Sequence, residues 1–402
     1  MGYKLVLGLG DNIDYEIVWN SAVLEALAQK YGIDEAELSV DQVVADERSL
    51  VRSILAFLKA GEGGEYFVSS PDIIEQFSER FVHRITLGGT PIRAAVAVAK
   101  LGYRCALHYV TMNGHVRRLT PAGCAYVCSC TEENSYPHLI VQFRKGDCVT
   151  TDRLNIVAPH ANRIIYDHDP ENIRMVLNEA FGEYCPDAKV FLISGFNAMQ
   201  DAAVVRDRIS VLKRMMARLP DSAAVYYEDG GFYDDRLRQV VREGLEVHID
   251  IHGMNEDELQ TYLGRKLDLL DAQEMTRALQ DIARMIGTRT ILVHTKYWAL
   301  VYGRNVKLLE RALAGGIDLA GTRYRFGDDF TIEQYEETKR LPRVMEGQQF
   351  ADALKAQLGE RVCCLPSARV METNVTTVGL GDAFVGGFLS TLSDLQVAYD
   401  RT

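Results

Sequence analysis

Short apolar runs alternate along this chain with longer stretches whose apolar residues recur every three or four positions. Val190-Phe-Leu-Ile-Ser194 reads as a buried strand, and between Asp201 and Leu219 the residues Val204, Val205, Ile209, Leu212, Met216 and Leu219 share one helical face. Asp201 can cap that helix and Pro220 marks its end. The cycle recurs. Ala223-Ala-Val-Tyr-Tyr227 precedes a helical stretch from about Asp234, Leu245-Glu-Val-His-Ile-Asp-Ile251 precedes a helix beginning near Asn255, and Thr290-Ile-Leu-Val-His294 follows another long helix. This alternation predicts an α/β fold with a parallel sheet, helices on both faces and a ligand site at the carboxyl ends of the strands. Residues 103–165 break the rhythm: they are rich in Cys, Tyr, Thr and His, and carry turn signals at Asn113-Gly114 and Lys145-Gly-Asp147. With His138-Leu-Ile-Val-Gln-Phe-Arg144 as a strand of mixed polarity, they predict a hairpin-rich lid. The expected organisation is one unit, 1–402. Residues 15–30 and 103–165 supply much of the lid, and 1–14, 31–102 and 166–402 supply most of the large α/β domain.

Composition narrows the function. The 402 residues are 47% hydrophobic and 25% charged, and no apolar run approaches the roughly 20 residues that span a bilayer. Tyr3-Lys-Leu-Val-Leu7 is strand-like without a signal-peptide pattern, so a cytoplasmic protein is expected. A net charge of -12 argues against nucleic-acid or membrane partners, which want basic faces, but permits small anionic substrates held by local Arg, Lys or backbone N–H groups. The eight cysteines suggest no disulfide framework, and Cys124-x3-Cys128-x-Cys130 fits no common zinc spacing.

The stretch with the most chemistry is Val378-Gly-Leu-Gly-Asp-Ala-Phe-Val-Gly-Gly-Phe-Leu389, a glycine loop feeding a small-residue helix. Gly379 and Gly381 let the backbone approach an anion, and the N–H groups of the first turn, with the positive end of the helix dipole, attract it. Asp382 would then stand beside the anion, placed to take a proton from an attacking hydroxyl; Thr373, Thr376 and Thr377 add hydroxyls upstream. A helix start packed tightly on a strand would produce the same letters. Gly8-Leu-Gly-Asp11 repeats them after a strand but has Ile13 where a dinucleotide fingerprint needs its third glycine, so a nicotinamide cofactor is not expected. Asn12 and Asp14 behind it either hydrogen-bond sugar hydroxyls or form an Asx turn. Gly88 and Gly89, followed by Thr90 and a helix with Pro91 in its first turn, serve either ligand approach or close packing. In Asn255-Glu-Asp-Glu258, Glu258 either completes a capping box or organises the water shell of magnesium, with Glu228 as a second acidic candidate. His248 and His252 would lie about 13 Å apart on a strand, too far to share a metal. Arg163, in Ala161-Asn-Arg-Ile-Ile165, makes either a surface ion pair or a bridge to transferring phosphate oxygens.

In this order, with Ile193-Ser-Gly-Phe196, Gly253-Met-Asn-Glu256 and Val293-His-Thr295 added, the motifs resemble those of the ADP-dependent sugar kinases, the glucokinases and phosphofructokinases of the ribokinase-like fold. The resemblance runs over most of the chain. It implies a large Rossmann-like parallel-sheet domain with a smaller β-rich lid, and transfer of a phosphoryl group from ADP, giving AMP, to a sugar or sugar phosphate with Mg2+. By the same resemblance Asp382 is the base, and the N–H groups of Gly379, Leu380, Gly381 and Asp382 form the anion hole. Arg163 contacts the moving phosphate, Asn12, Asp14, Gly88, Gly89 and Thr90 face the sugar, Asn255 and Thr377 serve the cofactor, and Glu258 and Glu228 support magnesium. The chain departs from the family where His-x-Glu becomes Tyr226-Tyr-Glu228, where Asn or Gln after the paired glycines becomes Thr90, and where Phe becomes Ile164. An ATP-dependent kinase of the same fold and a non-catalytic sugar or nucleotide sensor are the alternatives.

Overall fold

The computed structural model describes residues 2–372 and 375–395. Among them, nine strands form a large sheet in the order Val362–Pro366, Trp298–Gly303, Thr290–His294, Ile251–Asn255, Ala224–Glu228, Val190–Ile193, Leu5–Leu7, Cys105–Tyr109, Ala125–Cys128. The pairings from Ala125–Cys128 to Thr290–His294 are parallel, and the last two are antiparallel. Leu5–Leu7 and Val190–Ile193 are unbroken apolar runs, and the other inner strands are buried along nearly their whole length, because helices cover both faces. On one face pack Thr90–Ala99, Glu310–Phe326 and Leu380–Asp394; on the other Ala202–Met216 and Asp235–Leu245. Leu5–Leu7 lies between Val190–Ile193 and Cys105–Tyr109, so the chain progresses away from it in both directions. A crevice opens at such a switch point, beyond the carboxyl ends of the strands.

Five strands form a second sheet, ordered Gly64–Phe67, Asn162–Asp167, His138–Phe143, Asn12–Ile17, His83–Gly88. Its alternation assigns the faces. Leu139, Val141, Phe143, Ile164 and Tyr166 pack under the helices Ser21–Lys30, Glu47–Ala60 and Pro71–Ser78, with Leu50, Ile54, Phe57 and Phe77 buried against them. Each such side chain contributes about 1.5–3 kcal/mol on burial. The intervening residues Asp14, Glu65, His138, Ile140, Arg163, Ile165 and Asp167 face the cleft between the two sheets.

This membership differs from the expected lid. Cys105–Tyr109 and Ala125–Cys128 belong to the large sheet, while the helices of residues 31–88 cover the small one. The Cys- and Tyr-rich composition of 103–130 disguised a fully buried strand, Cys-Ala-Leu-His-Tyr. Amphipathic helices, for their part, declare an apolar stripe without naming the sheet it covers. Two boundaries also shift. The helix capped by Asp201 stops at Met216, and the strand expected over 245–251 begins at Ile251 because the preceding helix runs through Leu245. Among the described residues no helix is long and apolar enough to cross a membrane.

Candidate active site

The cleft is a cavity of about 830 Å³ whose wall takes residues from both sheets. At its floor begins the helix Leu380–Asp394. Gly379 precedes it in the left-handed region (φ 65°), and a Cβ there would lie 3.0 Å from the guanidinium nitrogens of both Arg323 and Arg93, so glycine is required twice over. The first helical bond runs from Ala383 N–H to the Gly379 carbonyl, 3.0 Å. The N–H groups of Leu380, Gly381 and Asp382 therefore precede the ladder, in a turn that lines the cavity. Upstream, Thr377 N–H and Oγ1 donate to Gln142 Oε1 of the small sheet at 3.2 and 3.1 Å, and Val378 N–H donates to Thr376 Oγ1 at 3.3 Å. Thr373 lies outside the described residues.

Opposite stands the strand Asn12–Ile17. Asn12 Nδ2 donates to Asp14 Oδ1 at 2.6 Å, and Asp14 Oδ2 pairs with Arg93. Burial raises the Asp14 carboxyl, with Arg93 acting against it. Gly88 is opposite Asn12 in the sheet and is not part of the cavity wall; a Cβ there would fall 2.1 Å from Asn12 Nδ2, so this glycine makes room for the Asn12–Asp14 pair. Gly89 (φ 85°) and Thr90 do line the cavity, at the start of the helix Thr90–Ala99. Arg163 lines it from the small sheet with an exposed side chain. Asp11, from the second Gly-Leu-Gly-Asp copy, is turned away: its Oδ1 accepts Val110 N–H at 2.6 Å and Thr111 N–H at 2.9 Å, holding the exit of Cys105–Tyr109.

The acidic wall has its own partners. Asn255 caps the helix Glu256–Leu263 and Glu258 reaches back to Asn255 N–H at 2.6 Å, so the capping box is formed, while Glu258 also lines the cavity. Burial, with the nearby Asp229 and Glu228 charges, pushes the Glu258 carboxyl up to about 8 against the Asn255 N–H bond. Glu228 Oε2 accepts from Tyr226 Oη at 2.7 Å, and its Oε1 contacts His294 Nε2 at 2.9 Å. Tyr226 thus occupies the departure from His-x-Glu as a fully buried phenol, accommodated because residue 253 is glycine: a Cβ there would fall 2.0 Å from Tyr226 Oη. His294 supplies an imidazole to Glu228 instead, and its ring lies 4.8 Å from that of Phe384 on the floor helix. Both carboxylates, Glu228 and Glu258, line the cavity. Each of their oxygens already accepts a hydrogen bond, and no group of three direct ligands occurs among the described residues. His252, discounted as a ligand, contacts buried Asp229 at 3.3 Å.

The structure adds residues that sequence patterns did not single out. Arg93, buried in a small-residue helix, pairs with Asp14 and Glu16 and lies 4.0 Å from Asp382. Arg323 donates to the Val378 carbonyl at 2.8 Å, which fixes the loop entering the floor helix. Burial and the Arg93 charge lower the Arg323 guanidinium to about 10. At the small-sheet end, His138 contacts Asp169 at 3.2 Å and Asp167 accepts from Tyr233 Oη at 2.6 Å. Burial would lower His138, but Asp169, Asp167 and Asp14 outweigh it and raise the imidazole to about 9. Only the repeated His and Asp between 138 and 169 hinted at this cluster.

A mostly parallel sheet covered by helices on both faces, with a second sheet across a cleft and a helix N-terminus and a carboxylate in that cleft's wall, defines the class; the fold is ribokinase-like. The profile of the ADP-specific phosphofructokinase/glucokinase conserved region matches residues 3–390, and the chain belongs to that family. A probable ADP-dependent glucokinase of Caenorhabditis elegans is 24% identical over 269 residues, 64% of this chain and 51% of that protein. The chain thus spans about half the length of the curated relative it matches. A phosphofructokinase from Pyrococcus horikoshii OT3, solved with AMP, superposes with a TM-score of 0.74 at 19% identity over 98% of both chains. An ADP-dependent kinase in complex with fructose-6-phosphate and ADPβS gives 0.75 at 15% identity over 98% of this chain and 95% of that one.

Proposed function

We propose that this protein transfers a phosphoryl group from ADP to a hydroxyl of an unphosphorylated sugar, releasing AMP. The observation that carries the reading is a single cavity whose wall includes the start of the floor helix, Asp382, Arg163 and the Asn12–Asp14 pair. Membership of the ADP-specific family and likeness to kinases solved with AMP and with ADPβS support ADP as donor.

Phosphoryl transfer asks for positioning and for charge stabilisation at the moving group. The N–H groups of Gly379, Leu380, Gly381 and Asp382 would receive the developing negative charge, and Arg163 would meet it from the opposite wall. Asp382 would accept the proton of the attacking hydroxyl, which Asn12, Asp14, Gly89 and Thr90 would hold. Gly88 would act indirectly, by giving Asn12 its space. Glu228 and Glu258 would hold magnesium through water, with Asn255 orienting Glu258 and Thr377 lying beside the donor phosphates. Bound magnesium supplies charge neutralisation at the donor phosphates.

The sugar is narrowed by charge. From the small sheet, the turn after Asp167 and the helix Thr90–Ala99, the cavity takes Asp14, Glu65, Asp167 and Asp169 with three cationic side chains, Arg93, His138 and Arg163. Arg93 is engaged by Asp14 and Glu16, and His138 by Asp169. Arg163 remains, and the transferring group requires it. A phosphate already on the acceptor would face carboxyl groups whose cationic partners are already engaged, whereas neutral hydroxyls would find acceptors for their protons. The test is a donor-by-acceptor matrix of ADP and ATP against hexoses, pentoses, nucleosides and hexose phosphates, with phosphorylated product measured. AMP formation with ADP and an unphosphorylated sugar is expected. Turnover with ATP alone, or binding of sugar and nucleotide without turnover across the panel, would overturn the reading; turnover with hexose phosphate alone would overturn the acceptor class.

A further inference from the structure

Three of the eight cysteines stand close together at 124, 128 and 130, and phosphoryl transfer uses none of them. Ala125–Cys128 is an edge strand of the large sheet, and the chain leaves it through Ser129 and Cys130. Side chains two apart on extended backbone fall on one face, with Cα atoms about 6.6 Å apart, a span that a disulfide can bridge. Here Cys128 Sγ and Cys130 Sγ are 3.0 Å apart, and both residues are half-buried. The backbone between them is already held, with Ser129 N–H on the Tyr109 carbonyl at 2.9 Å and Asn178 Nδ2 on the Cys128 carbonyl at 2.8 Å. Bringing the sulfurs together therefore needs little further ordering of the chain.

We propose that Cys128 and Cys130 form a reversible dithiol–disulfide site that exchanges with low-molecular-weight disulfides. Burial and the neighbouring thiol push the Cys128 thiol up, and Cys130, where the chain has left the strand, is taken as the attacking sulfur. The Cys130 thiolate attacks one sulfur of RSSR, forming Cys130–S–S–R and releasing RS⁻. Cys128 then loses its proton and displaces the second RS⁻ from Cys130, closing the Cys128–Cys130 bond. The protein loses two electrons and two thiol protons, and RSSR is reduced to two RSH. Cys124 is a different kind of thiol. The Cys105 S–H lowers it to about 7, but Cys105 is completely buried, so Cys124 lacks an accessible resolving partner on that side.

The site stands independently of the proposed reaction. The folded full-length chain is equilibrated with oxidised and reduced glutathione at a series of ratios, alkylated with iodoacetamide and digested with trypsin. The peptide 119–144, which holds all three cysteines, is then weighed. Wild type and Cys124→Ser are expected to give a peptide that has lost two hydrogens, about 2 Da, and two alkylation sites, reversed by dithiothreitol. Cys128→Ser should accumulate glutathione on Cys130 without ring closure. Ring closure that survives in Cys130→Ser, or Cys128 and Cys130 staying fully alkylatable at the most oxidising ratio, would overturn the proposal; far-ultraviolet circular dichroism establishes that each variant is folded.

Discussion

Arg93 joins the two halves of the cleft. It pairs with Asp14 and Glu16 on the small sheet and lies 4.0 Å from Asp382 on the floor helix, so the carboxylate that would hold the acceptor and the one that would activate it share one cation. Replacing Asp382 by Asn keeps the shape but removes the proton acceptor. A fall in kcat on the order of 10²–10⁴-fold with KM for the sugar little changed is expected, measured by product formation from ADP. The place of Asp382 in the first turn of the floor helix was legible in the sequence because a glycine loop before a small-residue helix has a local signature. The partners of Arg93 and His294 were not, since a lone charged residue in an apolar segment gives no sign of the groups that folding brings to it. His138 makes a second test. Its imidazole is raised to about 9 from an ordinary value near 6.5, so the stabilisation it provides is complete below about pH 6.5 and is lost as the pH rises through about 9. The stability gap between wild type and His138→Gln, at most about 3 kcal/mol, should close over that window in urea titrations.

At the scale of elements, the helix Leu380–Asp394 lies against Glu310–Phe326 through glycine on both sides. A Cβ on Gly387 would fall 2.3 Å from the Gly315 carbonyl oxygen, and one on Gly315 would fall 2.2 Å from Thr391 Oγ1. The Gly-Gly pair at 386–387 is thus explained by packing, while Gly379 is explained by its left-handed backbone. The sequence offered anion approach or close packing on a strand for the loop glycines, whereas the close packing seen here is that of Gly386 and Gly387 on neighbouring helices. Gly387→Ala should destabilise the protein by about 1–3 kcal/mol despite a gain of about 1 kcal/mol in helix propensity. Differential scanning calorimetry would register the loss. Since the displaced helix carries the Gly379–Asp382 turn, activity should fall in the same variant.

Across the described residues two sheets face the cleft and a two-stranded ribbon, Cys148–Thr150 with Asn155–Val157, stands apart from them, an arrangement legible only in part. Alternating strands and helices announced the large sheet, but membership of the small sheet depends on long-range pairing such as Asn12 with Gly88 and Ile164 with Gly64. No local period encodes such partners. One direct tie across the cleft is Gln142, whose Oε1 accepts both Thr377 hydrogen bonds from the loop entering the floor helix. Gln142→Ala should raise KM for donor and acceptor together, several-fold, with a smaller change in kcat, in initial-rate measurements varying each substrate. The chain passes between the sheets four times among the described residues: from Leu7 to Asn12, from Gly88 to Cys105, from Cys128 to His138 and from Asp167 to Val190. Four separate covalent tethers resist twisting and sliding far more than they resist bending. Asp14, Arg163 and Gln142 all stand on the smaller sheet, so a swing of that sheet about its four crossings would carry them toward the floor as one body.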